Sequence, residues 1–548
     1  MEQVYTPIAE SLAWSTVAAA LPILVLLLMI GVLRKPAWIS ALTGLAVGLV
    51  VAVGVYGMPA TTAVSSTTMG AAFGWFPIGW IVFWAVVLYR LTVETGQFEI
   101  IKDSIGGLTT DRRLQAMLIA FALGAFIEGA AGFGTPVAVA AAMLTGLGFS
   151  PFFAAGICLL ANTAPVAFGS IGIPVTTLAT VTGLDELTLS TWVGRLCAPV
   201  SVFIPAYLVM VMGGFKALKG VLPAAIVCGV SFAGMQLFMS AAVGPQLVDI
   251  VAALTAITAL VILFKVWQPS DEFHMEGEHA ATIEIKRHAA GPVLLAWSPY
   301  LLLVVFVLLW GSGLLNNNLF LWTQADLGLM DVPWPGLHEV MIRGPEVTAG
   351  ASAPYTAEYD INWLSAAGSA CALATFFGWV LLRFTVAPEF TIGKYVALLG
   401  SVLKQLAFSL ITIGAIVGLA FLMNYAGATV TLGLAFAETG RVFPFFSAIL
   451  GWLGVFLTGS DTSANALFGN LQVVTANQLG LDPNVMASAN SAGGVMGKMI
   501  SLQSLAVAVA ATGMARSQEG DLFRFTFKHS IFLASVLGGL TMIYAAFT

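Results

Sequence analysis

Two short stretches of this chain combine a lone carboxylate with several glycines inside otherwise apolar sequence. The first reads Gly124-Ala-Phe-Ile-Glu128-Gly129-Ala-Ala-Gly132-Phe-Gly134-Thr135-Pro136, and the second Gly454-Val-Phe-Leu-Thr458-Gly459-Ser460-Asp461-Thr462-Ser463-Ala-Asn465. Gly124, Phe126 and Gly129 align with Gly454, Phe456 and Gly459, about 330 positions further on. An ionised carboxylate in a dry site is costly, so it either pairs or takes up a proton. Glu128 and Asp461 are therefore the candidate proton-coupling groups. Glycines that interrupt a helix expose backbone N–H groups, and a helix N-terminus opened in this way attracts anions. On that ground Gly129, Gly132, Gly134 and Thr135, and Gly459, Ser460, Thr462, Ser463 and Asn465, are candidate substrate contacts. A packing carboxylate and close small-residue helix contacts are the competing explanation. The duplication of acid and glycines together favours a binding site.

A polar interruption follows each stretch. The first holds Asn162 and Thr163, then Gly169-Ser170; the second holds Asn490 and Ser491, then Lys498 and Gln503. Their amides and hydroxyls can hold both a carboxylate and a hydroxyl, and Lys498 either neutralises an anionic substrate or pairs with Asp461. Ser401, Gln405, Ser409 and Thr412 recur at helical spacing on one face of a long apolar segment, which adds Gln405 to the substrate set. Arg90 and Glu94, four apart, read as an interfacial pair.

These residues need a membrane scaffold to position them. Of 548 residues, 59% are hydrophobic and 9% charged, against about 25% charged in soluble domains. The apolar stretches suit helices of about 20 residues, and nothing alternates as in an outer-membrane barrel. The expected fold is an all-α polytopic membrane protein of about twelve spans in the lipid bilayer. These lie near 15–33, 37–57, 75–95, 151–182, 190–213, 219–241, 246–266, 293–313, 361–384, 393–423, 483–512 and 529–547. Segments 114–146 and 443–477, too broken for single spans, are expected to be re-entrant hairpins. The four cysteines sit in apolar segments at unrelated spacings and read as buried thiols. No zinc-ligand spacing, P-loop or basic tract occurs, so no metal, other cofactor, ATP or nucleic acid is expected. His274, His279 and His288 lack ligand spacing and belong to a solvated linker. Trp322, Trp334 and Trp363 read as interfacial anchors.

Basic residues orient the spans. Arg34-Lys35, Lys102 with Arg112-Arg113, Lys216 with Lys219, Lys265 through Arg287, Arg383 with Lys394, and Arg516 through Lys528 all fall on one side when both termini are periplasmic or extracellular. Arg441 is the chief exception. The two hairpins then enter from opposite sides, which makes an inverted-topology repeat. Residues 1–213, with hairpin 114–146, form the first repeat, and 293–548, with hairpin 443–477, form the second. Residues 214–292 connect them.

The Glu128 and Asp461 segments, with Ala161-Asn162-Thr163-Ala-Pro165 and Gly493-Gly494 through Lys498, resemble the lactate permease family, bacterial carriers of L-lactate, D-lactate and glycolate. The resemblance extends over nearly the whole length. It implies a proton-coupled importer of lactate, glycolate and related 2-hydroxymonocarboxylates in the bacterial inner membrane, on an inverted-repeat fold with paired hairpins. Two rivals come from other classes: an anion channel would need a continuous polar pore, and a membrane enzyme would need a nucleophile–base pair or metal cluster. Within the transporter class, a sodium-coupled carrier of a small carboxylate is the alternative, because hairpin carbonyls and the Ser460, Thr462 and Asn465 oxygens can hold a hard cation. Oligomeric state has no signature in the sequence.

Overall fold

Proline and glycine mark the helix ends that build the centre of this protein. Ser150 and Asp482 each cap a helix that begins with proline, Pro151–Ala161 and Pro483–Lys498, where the missing N–H costs nothing. Gly459 ends the Phe443–Thr458 helix at φ 73°, a left-handed value that a Cβ would strain. In the computed structural model, the described residues are all but 133, 272, 274–285, 312–326, 328, 345–351, 362, 365 and 516–517. His274, His279, Trp322, Arg516 and parts of the 314–360 loop lie outside them.

Among the described residues, twelve helices are long and apolar enough to cross a membrane. The remaining span, Pro151–Ala161 followed by Val166–Thr182, bends by 63° at its polar break. Both glycine-rich stretches turn the chain back on itself. Helical residues 112–130 lead to a turn and the return limb Thr135–Gly146. Phe443–Thr458 leads through Gly459 and Ser460 to the return limb Asp461–Leu479. In each case the two limbs pack side by side.

Element order recurs along the chain. Ala60–Glu94 and Ile392–Ala426 both have 35 residues, which is about 52 Å of helix against a hydrocarbon core of about 30 Å. Ten-residue helices follow each, Gln97–Gly106 and Ala428–Ala437. Then come hairpin, broken span and a long final helix starting at Glu186 or Glu519. Packing recurs too: Ala37–Gly54 lies on Ile392–Ala426, and Ala367–Thr385 lies on Trp80–Glu94. Thr135–Gly146 packs on Leu502–Thr512, and Asp461–Leu479 on Gly169–Thr182. Each return limb thus rests on the broken span of the other half.

Four element boundaries differ from the sequence expectation. A helix at Ala60–Phe73 precedes the expected 75–95 span and joins it through a break at Phe76; its six Ser and Thr residues hide it from hydropathy. Glu186–Ala242 runs through both expected spans 190–213 and 219–241, broken at Gly213, Gly214 and Val221. The span expected from 361 begins at Ala367. The last helix begins at Glu519 rather than 529 because polar residues such as Arg524 and Lys528 are tolerated in its opening turns. Outside the helices, Val332–Pro333 pairs with Glu358–Tyr359 and Ile342–Arg343 with Ala353–Pro354. Glu2 adds a bridge to Ile342, so the first residues and this loop form one small cap.

Candidate functional site

At the second hairpin, a serine starts the return limb. The Ser460 hydroxyl accepts from the Ser463 N–H at 3.2 Å, an N-cap that leaves the preceding N–H groups of the first turn unpaired within the helix. Asp461 follows immediately and is 3% exposed. Its Oδ2 accepts from the Ser491 hydroxyl at 2.7 Å. Behind it stands a buried relay: Asn465 donates to Ser491 Oγ at 3.0 Å, Asn490 donates to Asn465 Oδ1 at 2.9 Å, and Gln472 donates to Asn490 Oδ1 at 3.0 Å. Asn465 also donates to the Pro174 carbonyl of the opposite half at 3.0 Å. Lys498 is 7% exposed, and its Nζ donates to the Gly459 carbonyl at 2.6 Å. Its hydrogen bond therefore goes to the hairpin turn rather than to Asp461.

These limbs meet because glycines let backbones touch. A Cβ on Gly451 or Gly493 would collide with the Asn490 or Ala448 carbonyl of the facing helix, so Phe443–Thr458 and Pro483–Lys498 cross at backbone distance.

At the first hairpin, Glu128 is 4% exposed and ends the incoming limb. A Cβ on Gly169 would lie 2.6 Å from Glu128 Oε1. Asn162 also lies against the Glu128 carboxyl. Ser170, Ile171 and Gly172 all take left-handed conformations, with φ of 48°, 60° and 75°. That turn carries Ser170 Oγ to the Ala131 carbonyl at 3.1 Å. Gly129 abuts Asp249, Gly132 abuts Ser170, and Gly134 caps Thr135–Gly146 at φ 81°. Thr163 Oγ1 donates to the Leu160 carbonyl at 2.7 Å. Gly134 and Gly459 face Val507 and Gln503 respectively, one helical turn apart on Leu502–Thr512, so the two hairpin turns meet on a single helix.

Beside the second turn lies a cavity of about 160 Å³, which Glu128 of the first hairpin also lines. Of the residues expected from sequence, Glu128, Gly459, Ser460, Asp461, Thr462, Ser463, Lys498 and Gln503 line it. One helix N-terminus opens onto it, at Ser460, and Gln503 also lines it from the first turn of Leu502–Thr512, which the Ser501 hydroxyl caps by accepting from Ser504 N–H. Its wall thus offers one buried lysine, the helix-start N–H groups that follow Ser460 and two acidic side chains, with Ile173, Ile413 and Ile416 as apolar surface. That is the composition of a small-anion site.

The other expected residues lie elsewhere. Asn465, Asn490 and Ser491 form the relay behind Asp461. Gly129, Gly132, Gly134, Thr135, Asn162 and Thr163 shape the first hairpin and its neighbours without lining the cavity. Gln405 is exposed further out on Ile392–Ala426, where Arg90 Nη1 reaches its Oε1 at 3.5 Å beside the Arg90–Glu94 pair. Ser409 and Thr412, on the same helix face, do line the cavity, as do Gly169 and Ser170. Periodicity identified the face, and depth along it chose between Gln405 and Thr412. Asp249, 1% exposed beside Gly129, went unnoticed because a single acid in the first turn of an apolar helix is an ordinary response to the helix dipole. Among the described residues, no three His, Cys, Asp or Glu side chains gather as metal ligands.

Comparison with known proteins gives the family of the chain. The family described as L-lactate permease matches residues 15–548. The L-lactate permease of Bacillus subtilis is 45% identical over 560 residues, covering 99% of this chain and 98% of that protein. The L-lactate permease and the glycolate permease GlcA of Escherichia coli K12 are each 41% identical, again covering 99% and 98%. Among solved structures, the YdaH transporter of Alcanivorax borkumensis is similar at 15% identity and a TM-score of 0.47, covering 88% of this chain and 87% of that one. With a full-length family match and relatives above 40% identity end to end, this multi-pass membrane protein belongs to the L-lactate permease family.

Proposed function

We propose that this protein imports lactate and related 2-hydroxymonocarboxylates such as glycolate across the bacterial inner membrane, by symport with protons. The observation that carries this reading is the cavity that Lys498 and the helix N-terminus at Ser460 line together with Glu128 and Asp461. An engineered cavity of about 150 Å³ holds benzene, which has as many heavy atoms as lactate, so the observed volume suits one such anion. The substrate carboxylate would meet the Ser460–Ser463 N–H groups and Lys498. Ser170, Thr412 or Gln503 would meet the 2-hydroxyl, and the isoleucines the methyl group.

Charge balance supports coupling. Two carboxylates share this cavity with a single lysine. A bound substrate anion adds a negative charge, and site neutrality then calls for one more proton. The same proton offsets the cost of moving an anion into a negative interior, about 2.3 kcal/mol per charge per 100 mV. The recurring element order, with each return limb on the other half's broken span, supports two inverted repeats, 1–213 and 293–548, joined by 214–292. The distribution of Lys and Arg supports periplasmic termini.

The test is uptake of labelled lactate in membrane vesicles with proton and sodium gradients imposed separately. An inward proton gradient should drive accumulation and a sodium gradient alone should not. Accumulation driven by sodium alone would replace protons with sodium as the coupling ion, and strictly downhill, non-saturating flux would make the protein a channel.

A further inference from the structure

Asp249 begins the Val248–Val266 helix in the segment that joins the two halves, and it is 1% exposed. Among the described residues, neither of its carboxyl oxygens has a hydrogen-bond partner, and Glu128 Oε2 lacks one as well. The two acids are neighbours: a Cβ added to Gly129, the residue after Glu128, would lie 2.7 Å from Asp249 Cβ and 3.1 Å from the Ile250 N–H. The groups around the pair are few. Glu128 is the charged group that acts on Asp249 from helical residues 112–130. The Cys197 thiol on Glu186–Ala242 is within electrostatic reach of Asp461 and Asp249. From that helix's first turn Glu186 accepts from Gln246, one turn before Asp249, at 2.8 Å, and from Thr176 of Gly169–Thr182 at 2.8 Å. Lys498 acts on Glu128 and Asp461 from the far side.

Two ionised carboxylates on touching backbone segments in a buried setting, with no donor among the described residues on three of their oxygens, are too costly to persist. A proton held between such a pair removes one charge and supplies the missing donor. Lys498 lines the cavity and acts on Glu128 and Asp461, while its hydrogen bond goes to the Gly459 carbonyl. We infer that Asp249 and Glu128 form a two-carboxyl site that binds one proton, the coupling proton of the transport cycle. The proton bridges a carboxyl oxygen of each residue. It leaves as a whole, with no change in oxidation state, when the cavity empties. This inference rests on the symport reading and adds to it a residue outside the cavity.

The test uses full-length protein in proteoliposomes with an internal pH dye. Wild type should acidify the lumen when lactate enters; if it does not, the symport reading itself fails, whatever Asp249 does. With wild type coupled, Asp249→Asn should still exchange internal for external lactate. Its lactate-driven proton entry should fall at least about fivefold, and the pH midpoint of uptake should move by about one unit or more, as expected when one acid of a close pair is neutralised. Asp249→Glu should restore proton entry at a changed midpoint. Unaltered coupling and an unaltered midpoint in Asp249→Asn would overturn the inference. Equal loss of exchange and coupling in the Asn and Glu variants would also overturn it, by making Asp249 structural. Should Asp249→Asn fail to fold, wild type decides alone: lactate binding must change the protonated-carboxyl stretch in its infrared difference spectrum, and a flat spectrum there refutes the proposal.

Discussion

Lys498→Met gives the sharpest test of the anion site, because methionine keeps most of the stem and removes only the charge. The ammonium has three N–H donors, and one is spent on the Gly459 carbonyl at 2.6 Å. The other two are available to a carboxylate in the cavity that Lys498 lines. A hydrogen bond to a charged group contributes about 1.5–3 kcal/mol, and each 1.4 kcal/mol is about tenfold in binding. Apparent affinity for lactate should therefore fall roughly 10- to 150-fold. Losing the bond to Gly459 adds about 1 kcal/mol of destabilisation, visible as a lower melting temperature. The assay is concentration-dependent initial uptake, with lactate–lactate exchange measured on the same preparation. Exchange needs no net proton movement, so a raised KM there isolates binding from coupling. A variant that is monodisperse, yet within twofold of wild-type KM in both assays, would refute the assignment of the substrate carboxylate to this end of the cavity.

Three further expectations follow from individual contacts. Glu128→Gln should abolish uphill accumulation while retaining exchange; if Glu128→Gln and Asp461→Asn both concentrate lactate on a pH gradient as wild type does, neither is a coupling group. Gly459→Ala places a Cβ 2.8 Å from Gln503 Oε1 at φ 73°, which should cost about 1–2 kcal/mol and slow transport; Gly459→Asn should cost less, since asparagine tolerates that φ, and thermal melts of the two variants check the order. Hydrogen bonding from Arg113, Nη1 to Oδ2 at 2.8 Å, holds the Asp271 carboxyl below the usual carboxylate range. A lowered folded value stabilises above the unfolded value near 4 and is lost as pH falls through the folded one. Asp271→Asn should therefore lower the melting temperature slightly at pH 7, within about 1 kcal/mol for so exposed a group, and the difference should vanish in acid.

How much of this was legible in the sequence depended on what kind of physics each residue obeys. The hairpins were legible because glycines and acids stand out against an apolar background, and the turns fall at Ala131–Gly134 and Gly459–Ser460 as that contrast implies. The cavity was half legible. Ser460, Asp461, Thr462 and Ser463 belong to one helix start, so local spacing fixes them together. Asn465, Asn490 and Ser491 announced themselves as intramembrane polar groups, yet polarity alone does not distinguish a wall residue from one hydrogen-bonded behind it. Ser170 reaches Ala131 only because three successive residues turn left-handed, a conformation that Ser and Ile do not advertise. Asp249 depends on a contact between Gly129 and a helix more than a hundred positions away, and no local pattern encodes that.

The relay behind Asp461 has a direction. Gln472, Asn490, Asn465 and Ser491 each point a donor toward the next, and every arrow ends on Oδ2. Amides locked in such a sequence cannot reverse one at a time without setting two acceptors face to face, so Oδ2 is kept in permanent use as an acceptor. Among the described residues Oδ1 has no hydrogen-bond partner, and it lies against Gly494. A proton reaching Asp461 therefore finds one oxygen ready and the other taken, and the carboxyl, symmetric as a chemical group, becomes handed by its setting. Oδ1 fits there only because position 494 carries no side chain, since a Cβ would collide with it, which gives that glycine of Pro483–Lys498 a task besides close packing.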